Sequence, residues 1–270
     1  MEQDILAGLY VDQSAANAAS LRPVPQDRIR AKVDERMSRR DLEGVERVLR
    51  YWLEEARAAK DLRGELMIQN ELIGHYRKTG EKPKALESET SALLLIEKLN
   101  YASSLSAATT YVNIGTARSA FGENDAALTF FSRAREIYES SPNTSDTLLG
   151  GLYNNMGLCL AALKRFGEAY ALYDLAMARM EKAPGGQLEQ AVTLLNRANA
   201  LESQQGMEQA ESEIYALLDR AAALLNGPGF PHDGYFAYVC EKCAPVFEYY
   251  GYFSDAEAFK QQAEAIYERA

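Results

Sequence analysis

Six small or apolar residues recur along the chain at near-constant intervals. Val33, Gly74, Gly115, Gly157, Ala198 and Ala244 are separated by 41, 41, 42, 41 and 46 residues. A period of this length marks a chain of stacked supersecondary units, none of which can bury its apolar face alone. The internal pattern repeats as well. Gly115 is followed by Ala127, Phe131 and Ala134, and Gly157 at identical offsets by Ala169, Tyr173 and Ala176. Gly74 leads to Ala85 and Ala92, Ala198 to Ala210, Ile214 and Leu217, and Ala244 to Ala256 and Ala263. A degenerate first copy runs Val33, Val45, Leu49, Trp52.

Apolar residues recur at three and four within every unit, so each unit reads as two amphipathic helices. Gly80, Gly122, Gly206 and Gly251 stand between the helices, where a tight turn needs conformational freedom. Pro142 and Pro184 lie 27 residues past their lead glycines, where a helix must end, and Pro228 ends the fifth unit similarly. The map predicts helices over 26–39, 42–60, 62–79, 82–99, 102–121, 124–140, 144–163, 166–182, 187–205, 207–226, 232–250 and 253–269, with a further short helix near 3–19. Small lead residues let two helices approach closely, and the aromatic at the next turn is expected to fill the gap toward the neighbouring unit.

Tyr153, Met156, Gly157, Ala169, Tyr173 and Ala176, with Tyr111, Ile114, Gly115, Ala127, Phe131 and Ala134, resemble the tetratricopeptide (TPR) repeat family. The resemblance covers about residues 26–270 and is most specific in units three and four. The period, near 41, exceeds the family's usual 34 and is similar to that of kinesin light chains and bacterial peptide-responsive regulators. It implies an all-α fold: a right-handed α-solenoid of about six TPR-like helix pairs plus a short N-terminal helix. Residues 1–25 would form an N-terminal segment and 26–270 a single superhelical array. Lys260 stands where earlier units have Phe131 or Tyr173, as expected of a terminal cap.

Lys and Arg number 29 against 39 Asp and Glu, a net charge of -10. An acidic chain is a poor partner for phosphate backbones, so no nucleic acid is expected. No apolar run approaches a membrane span and the start is acidic, so neither membrane nor export is expected, and the location reads as cytoplasmic. Charge is uneven: residues 21–64 carry 12 bases against 9 acids, and residues 181–270 carry 6 against 14. The front is mildly basic and the back strongly acidic, which serves solubility or orients a charged partner.

No catalytic constellation is visible, and the chain reads as non-enzymatic, without cofactor or metal. His75 and His232 are far apart in the array, and no phosphate loop or metalloprotease motif occurs. Cys240 and Cys243 form a lone Cys-x-x-Cys pair where zinc would want two more ligands, and they fall at packing positions of the repeat.

In the resembled family, the concave face is built by first helices. Asn113, Asn155 and Asn196 each lie two residues before a lead small residue, and Asn199 one after. An amide carries donor and acceptor together, so a ladder of them can hold a peptide backbone whatever its side chains. The alternative use is hydrogen bonding between helices of the array. Glu71, His75, Thr116, Leu158 and Glu202 share the expected face. Nine of the chain's 25 Tyr and Phe fall between Phe230 and Phe253, more than one helix pair can bury. Tyr238 and Tyr249 are expected in the groove, and the others in a thick core or a two-fold contact making a homodimer. Ile5, Leu6, Leu9 and Tyr10 form a stripe that either caps the first unit or occupies the groove. The expected partner is an extended peptide or partner-protein segment. A regulator sensing a small signalling peptide is the second reading, and a metal or redox module using the cysteines the third.

Overall fold

The computed structural model describes residues 22–269. Among them are twelve α-helices and no strand: α1 (Gln26–Ser38), α2 (Leu42–Ala58), α3 (Leu62–Thr79), α4 (Lys82–Lys98), α5 (Leu105–Ala120), α6 (Asn124–Ser140), α7 (Asp146–Ala162), α8 (Phe166–Met180), α9 (Gln187–Gln205), α10 (Met207–Leu225), α11 (Gly234–Tyr249) and α12 (Phe253–Tyr267). The helix expected near 3–19 and the stripe from Ile5 to Tyr10 lie outside the described residues.

Twelve helices make six pairs, so the helical-repeat reading holds. Helix starts differ from expectation only where a side-chain cap intervenes, and nine of the twelve helix ends fall one or two residues earlier than expected. α5 starts at Leu105 rather than 102 because the Ser104 hydroxyl accepts the Ala107 N–H at 3.1 Å. α11 starts at Gly234 rather than 232 because Asp233 accepts from the Tyr235 and Phe236 N–H groups, at 2.9 and 3.2 Å. Asp41 and Asp61 cap α2 and α3 likewise, and Asp61 also holds the Val24 N–H at 2.8 Å.

The described helices fall into two compact units, divided between Pro142 and Asn143. The N-terminal unit holds α1–α6 and the C-terminal unit α7–α12. In both, a helix packs most extensively on its pair partner, except that α2 packs more on α3 than on α1, and successive first helices also touch: α3 with α5, α7 with α9, α9 with α11. The N-terminal unit contains a core around Ile29, Leu49, Met67 and Ile68, and the C-terminal unit one around Ile214, Leu218, Phe236, Phe247 and Phe259.

The glycine–aromatic pairing is direct. A Cβ on Gly115 would stand 2.5 Å from the Phe131 ring, and one on Gly157 2.5 Å from the Tyr173 ring. Each ring packs against the lead glycine of its own pair and is wholly buried. The contact is therefore within a pair, rather than only toward the next unit. The turn between helices takes a left-handed residue in every unit: Gly122 sits at φ 79°, and Arg40 and Lys164 accept φ 54° and 62° where their units lack glycine.

Candidate functional site

The amides expected to line a groove are organised into lateral pairs. In the N-terminal unit, Asn113 on α5 donates its Nδ2–H to Asn70 Oδ1 on α3 at 3.0 Å. Asn70 is buried and donates in turn to Thr110 Oγ1 at 3.0 Å and to Leu66 O at 3.1 Å. The C-terminal unit repeats the device: Asn196 on α9 donates to the buried Asn154 on α7 at 3.0 Å. Each bond joins successive first helices and fixes the plane of a half-buried amide. Asn155, next to Asn154 but turned about 100° around the helix, is half-buried and makes no side-chain hydrogen bond among the described residues.

The partners Asn70 and Asn154 are the residues that reasoning from the sequence passed over. Their signal was present. They precede Asn113 and Asn196 by 43 and 42 residues, close to one period, and they interrupt otherwise apolar stretches. A buried amide has to be hydrogen-bonded, which makes the equivalent asparagine of the next unit its natural partner.

Thr116 returns its hydroxyl to Val112 O at 2.8 Å, and Leu158 is half-buried on α7. Glu71 is half-buried on α3, 4.0 Å from Arg30. At the end of α11, aromatic hydroxyls converge on α9. The Tyr250 hydroxyl, with one proton to share, lies 3.0 Å from Asn199 Oδ1 and 2.9 Å from Glu202 Oε2, and Tyr249 donates to Glu202 Oε1 at 2.9 Å. Burial and the Glu202 carboxylate raise the Tyr250 phenol above its ordinary range. Tyr235 further bonds Glu189 of α9.

The crowded aromatics divide by depth. Phe236, Phe247 and Tyr250 are buried, and Phe230, Tyr235, Tyr238 and Tyr252 half-buried. Tyr249 and Phe253 remain 68% and 67% exposed. One pair of helices leaves two of the nine at the surface, as the single inward stripe of each helix requires. Lys260, at the repeat position of Phe131 and Tyr173, is exposed and meets Glu248 at 2.6 Å. Cys240 and Cys243 face the core, where burial pushes both thiols up to about 12, and Cys159 is buried too.

His75 stands apart from the amides. It is buried at 5% exposure, and a ring nitrogen lies within 4.8 Å of carboxylate oxygens of Glu46 on α2 and Glu81 at the start of α4. Burial lowers its pKa, so the neutral ring is favoured. The C-terminal unit also holds a cavity of about 400 Å³ bordered by Tyr173, Met177, Leu194, Leu217 and Arg220, beside the Asp174–Arg197 ion pair at 2.5 Å.

No protein-family model matches the chain, and no curated protein is similar to it in sequence. Solved structures do match. One is a putative kinesin light chain with nearly identical TPR-like repeats from Podosopora anserina, with a TM-score of 0.48 and 16% identity, over 73% of this chain and 92% of that one. Another is BtubC (BKLC) from P. vanneervenii, with a TM-score of 0.49 and 18% identity, over 88% of this chain and 90% of that one. The chain is thus similar to TPR-like helical-repeat proteins. No described helix is long and apolar enough to cross a membrane.

Proposed function

We propose that this chain is a non-enzymatic binding scaffold whose first helices hold an extended peptide or a segment of a partner protein. One observation supports this most: the same half-buried amide recurs in register in both units. Asn113 and Asn196 each commit one N–H to a buried neighbour. Their Oδ1 atoms accept no hydrogen bond from any described residue, and Asn155 adds an uncommitted amide between them in sequence. Amides held rigidly by an internal bond lose little side-chain entropy on binding, which favours backbone recognition.

The test follows from the division of labour. Asn155→Ala touches no internal partner, whereas Asn196→Ala leaves Asn154 Oδ1 without its donor. Extended peptides selected by display against the full chain should bind Asn155→Ala several-fold more weakly at unchanged melting temperature. This corresponds to one lost hydrogen bond of about 0.5–1.5 kcal/mol. Failure to recover any peptide, or equal affinity for the variant, overturns the reading.

A further inference from the structure

Three elements of the N-terminal unit bring together a donor set that the sequence keeps apart. Glu46 comes from α2, His75 from the last turns of α3, and Glu81 from the turn that caps α4. One ligand atom from each lies within 4.8 Å of the other two. The ligands of a tetrahedral zinc ion, bonded at about 2.0–2.2 Å, stand roughly 3.4 Å apart. Side-chain rotation of the two long glutamates spans that difference.

Two details mark this trio off from an ordinary acidic surface. First, His75 is 95% buried, and its Nδ1 is a buried nitrogen with no hydrogen-bond partner. An unmatched buried ring nitrogen carries a desolvation cost, which a bound cation would offset. Second, the carboxylates are already arranged around a cation. Lys84 Nζ sits 3.0 Å from Glu46 and 2.5 Å from Glu81, with side-chain exposures of 40%, 23% and 36% for the three. The bonds at the site leave one carboxylate oxygen open. Lys84, Tyr76 and Arg50 all meet Glu46 at Oε1, leaving Oε2 without a partner among the described residues, while Glu81 takes Lys84 at Oε2 and Thr79 at Oε1.

We propose that Glu46, His75 and Glu81 bind one divalent transition-metal ion, with Lys84 as the charge that holds the carboxylates together when no ion is present. One imidazole and two carboxylates suit zinc and its first-row neighbours. Calcium and magnesium want an all-oxygen shell, and copper(I) wants sulfur. Binding displaces the ammonium, whose partly exposed stem lets it swing to solvent. No bond is made or broken other than the coordination bonds, and the ion leaves at least one position for water or a carboxylate of a partner.

Lys84 competes with the ion, and this sets the experiment. Zinc chloride is titrated calorimetrically into the full-length wild type, Lys84→Met and His75→Phe, each checked for helix content by circular dichroism. Cobalt(II) absorption reports the ligand geometry in parallel. Wild type should take up one equivalent, Lys84→Met should bind at least tenfold more tightly, and His75→Phe at least tenfold more weakly. Glu81→Gln, half-exposed, provides the same comparison if His75→Phe loses helix content. Two outcomes overturn the site: no saturable equivalent in either wild type or Lys84→Met, or binding that both His75→Phe and Glu81→Gln leave unchanged.

Discussion

The pair α3/α4 and the pairs α5/α6 and α7/α8 share a register but not a packing solution. In the latter two, the lead glycine is covered by a ring four residues past the paired alanine: Phe131 over Gly115 and Tyr173 over Gly157. In α3/α4 the equivalent of that ring is Glu89, and nothing lies within 4 Å of where a Gly74 Cβ would stand. Glu89 is nevertheless buried at 6%. Arg118 of α5 grips it with two hydrogen bonds of 2.8 and 2.7 Å, and reaches Glu123 at 2.6 Å as well. An ion pair between successive pairs thus occupies the place where α5/α6 and α7/α8 put an aromatic within one pair. A repeat position therefore fixes location, not interaction: the same glycine is sterically required in two pairs and free in a third.

The largest effect should come from Arg118→Ala. It strands a buried carboxylate, and breaking such a pair costs about 3–5 kcal/mol. Urea unfolding of the variant measures it, and a loss under about 1 kcal/mol would show that the pair behaves as a surface bridge. Next in size are Gly115→Ala and Gly157→Ala. Each drives a methyl into a fully buried ring, and overpacking of this kind costs about 1–3 kcal/mol. Either variant matching wild type in denaturation midpoint would dissolve the contrast with α3/α4.

Gly74→Ala should move the other way. The position is helical and open, so an alanine there stabilises by about 0.5–1 kcal/mol through propensity and a less disordered unfolded chain. A rise in melting temperature beside the falls for Gly115→Ala and Gly157→Ala would sharpen the comparison most cleanly. The smallest change is expected for Lys164→Gly. Relief of left-handed strain, about 1 kcal/mol, is set against a freer unfolded chain and the lost 2.6 Å bond to Ser203. The net shift should be within about 0.5 kcal/mol of zero, whereas Gly122→Lys, which introduces the same strain, should destabilise.

Much of this was legible in the residues. The helix pairs, their turns and the role of Gly115 and Gly157 follow from local rules: periodicity, a left-handed turn, and the steric limit on close approach. The amide site was legible only in part. Asn113 and Asn196 stood out by register, but their buried partners Asn70 and Asn154 did not, because an asparagine on an apolar face looks like noise until its neighbour is in place. His75 was read by register as a groove contact, and the structure instead sets it between Glu46 and Glu81.

Read alone, the residues give the period, the number of helices in each repeat and every helix end to within three residues. These depend on residues within a few turns of one another. Which polar groups meet is settled by helix packing: Asn113 with Asn70, Arg118 with Glu89, His75 near two glutamates from different elements. Those pairings depend on how neighbouring helices rotate about their own axes as they pack. A rotation of about 100° exchanges Asn154 for Asn155, so one residue turns inward to bind its neighbour while the next keeps its amide uncommitted.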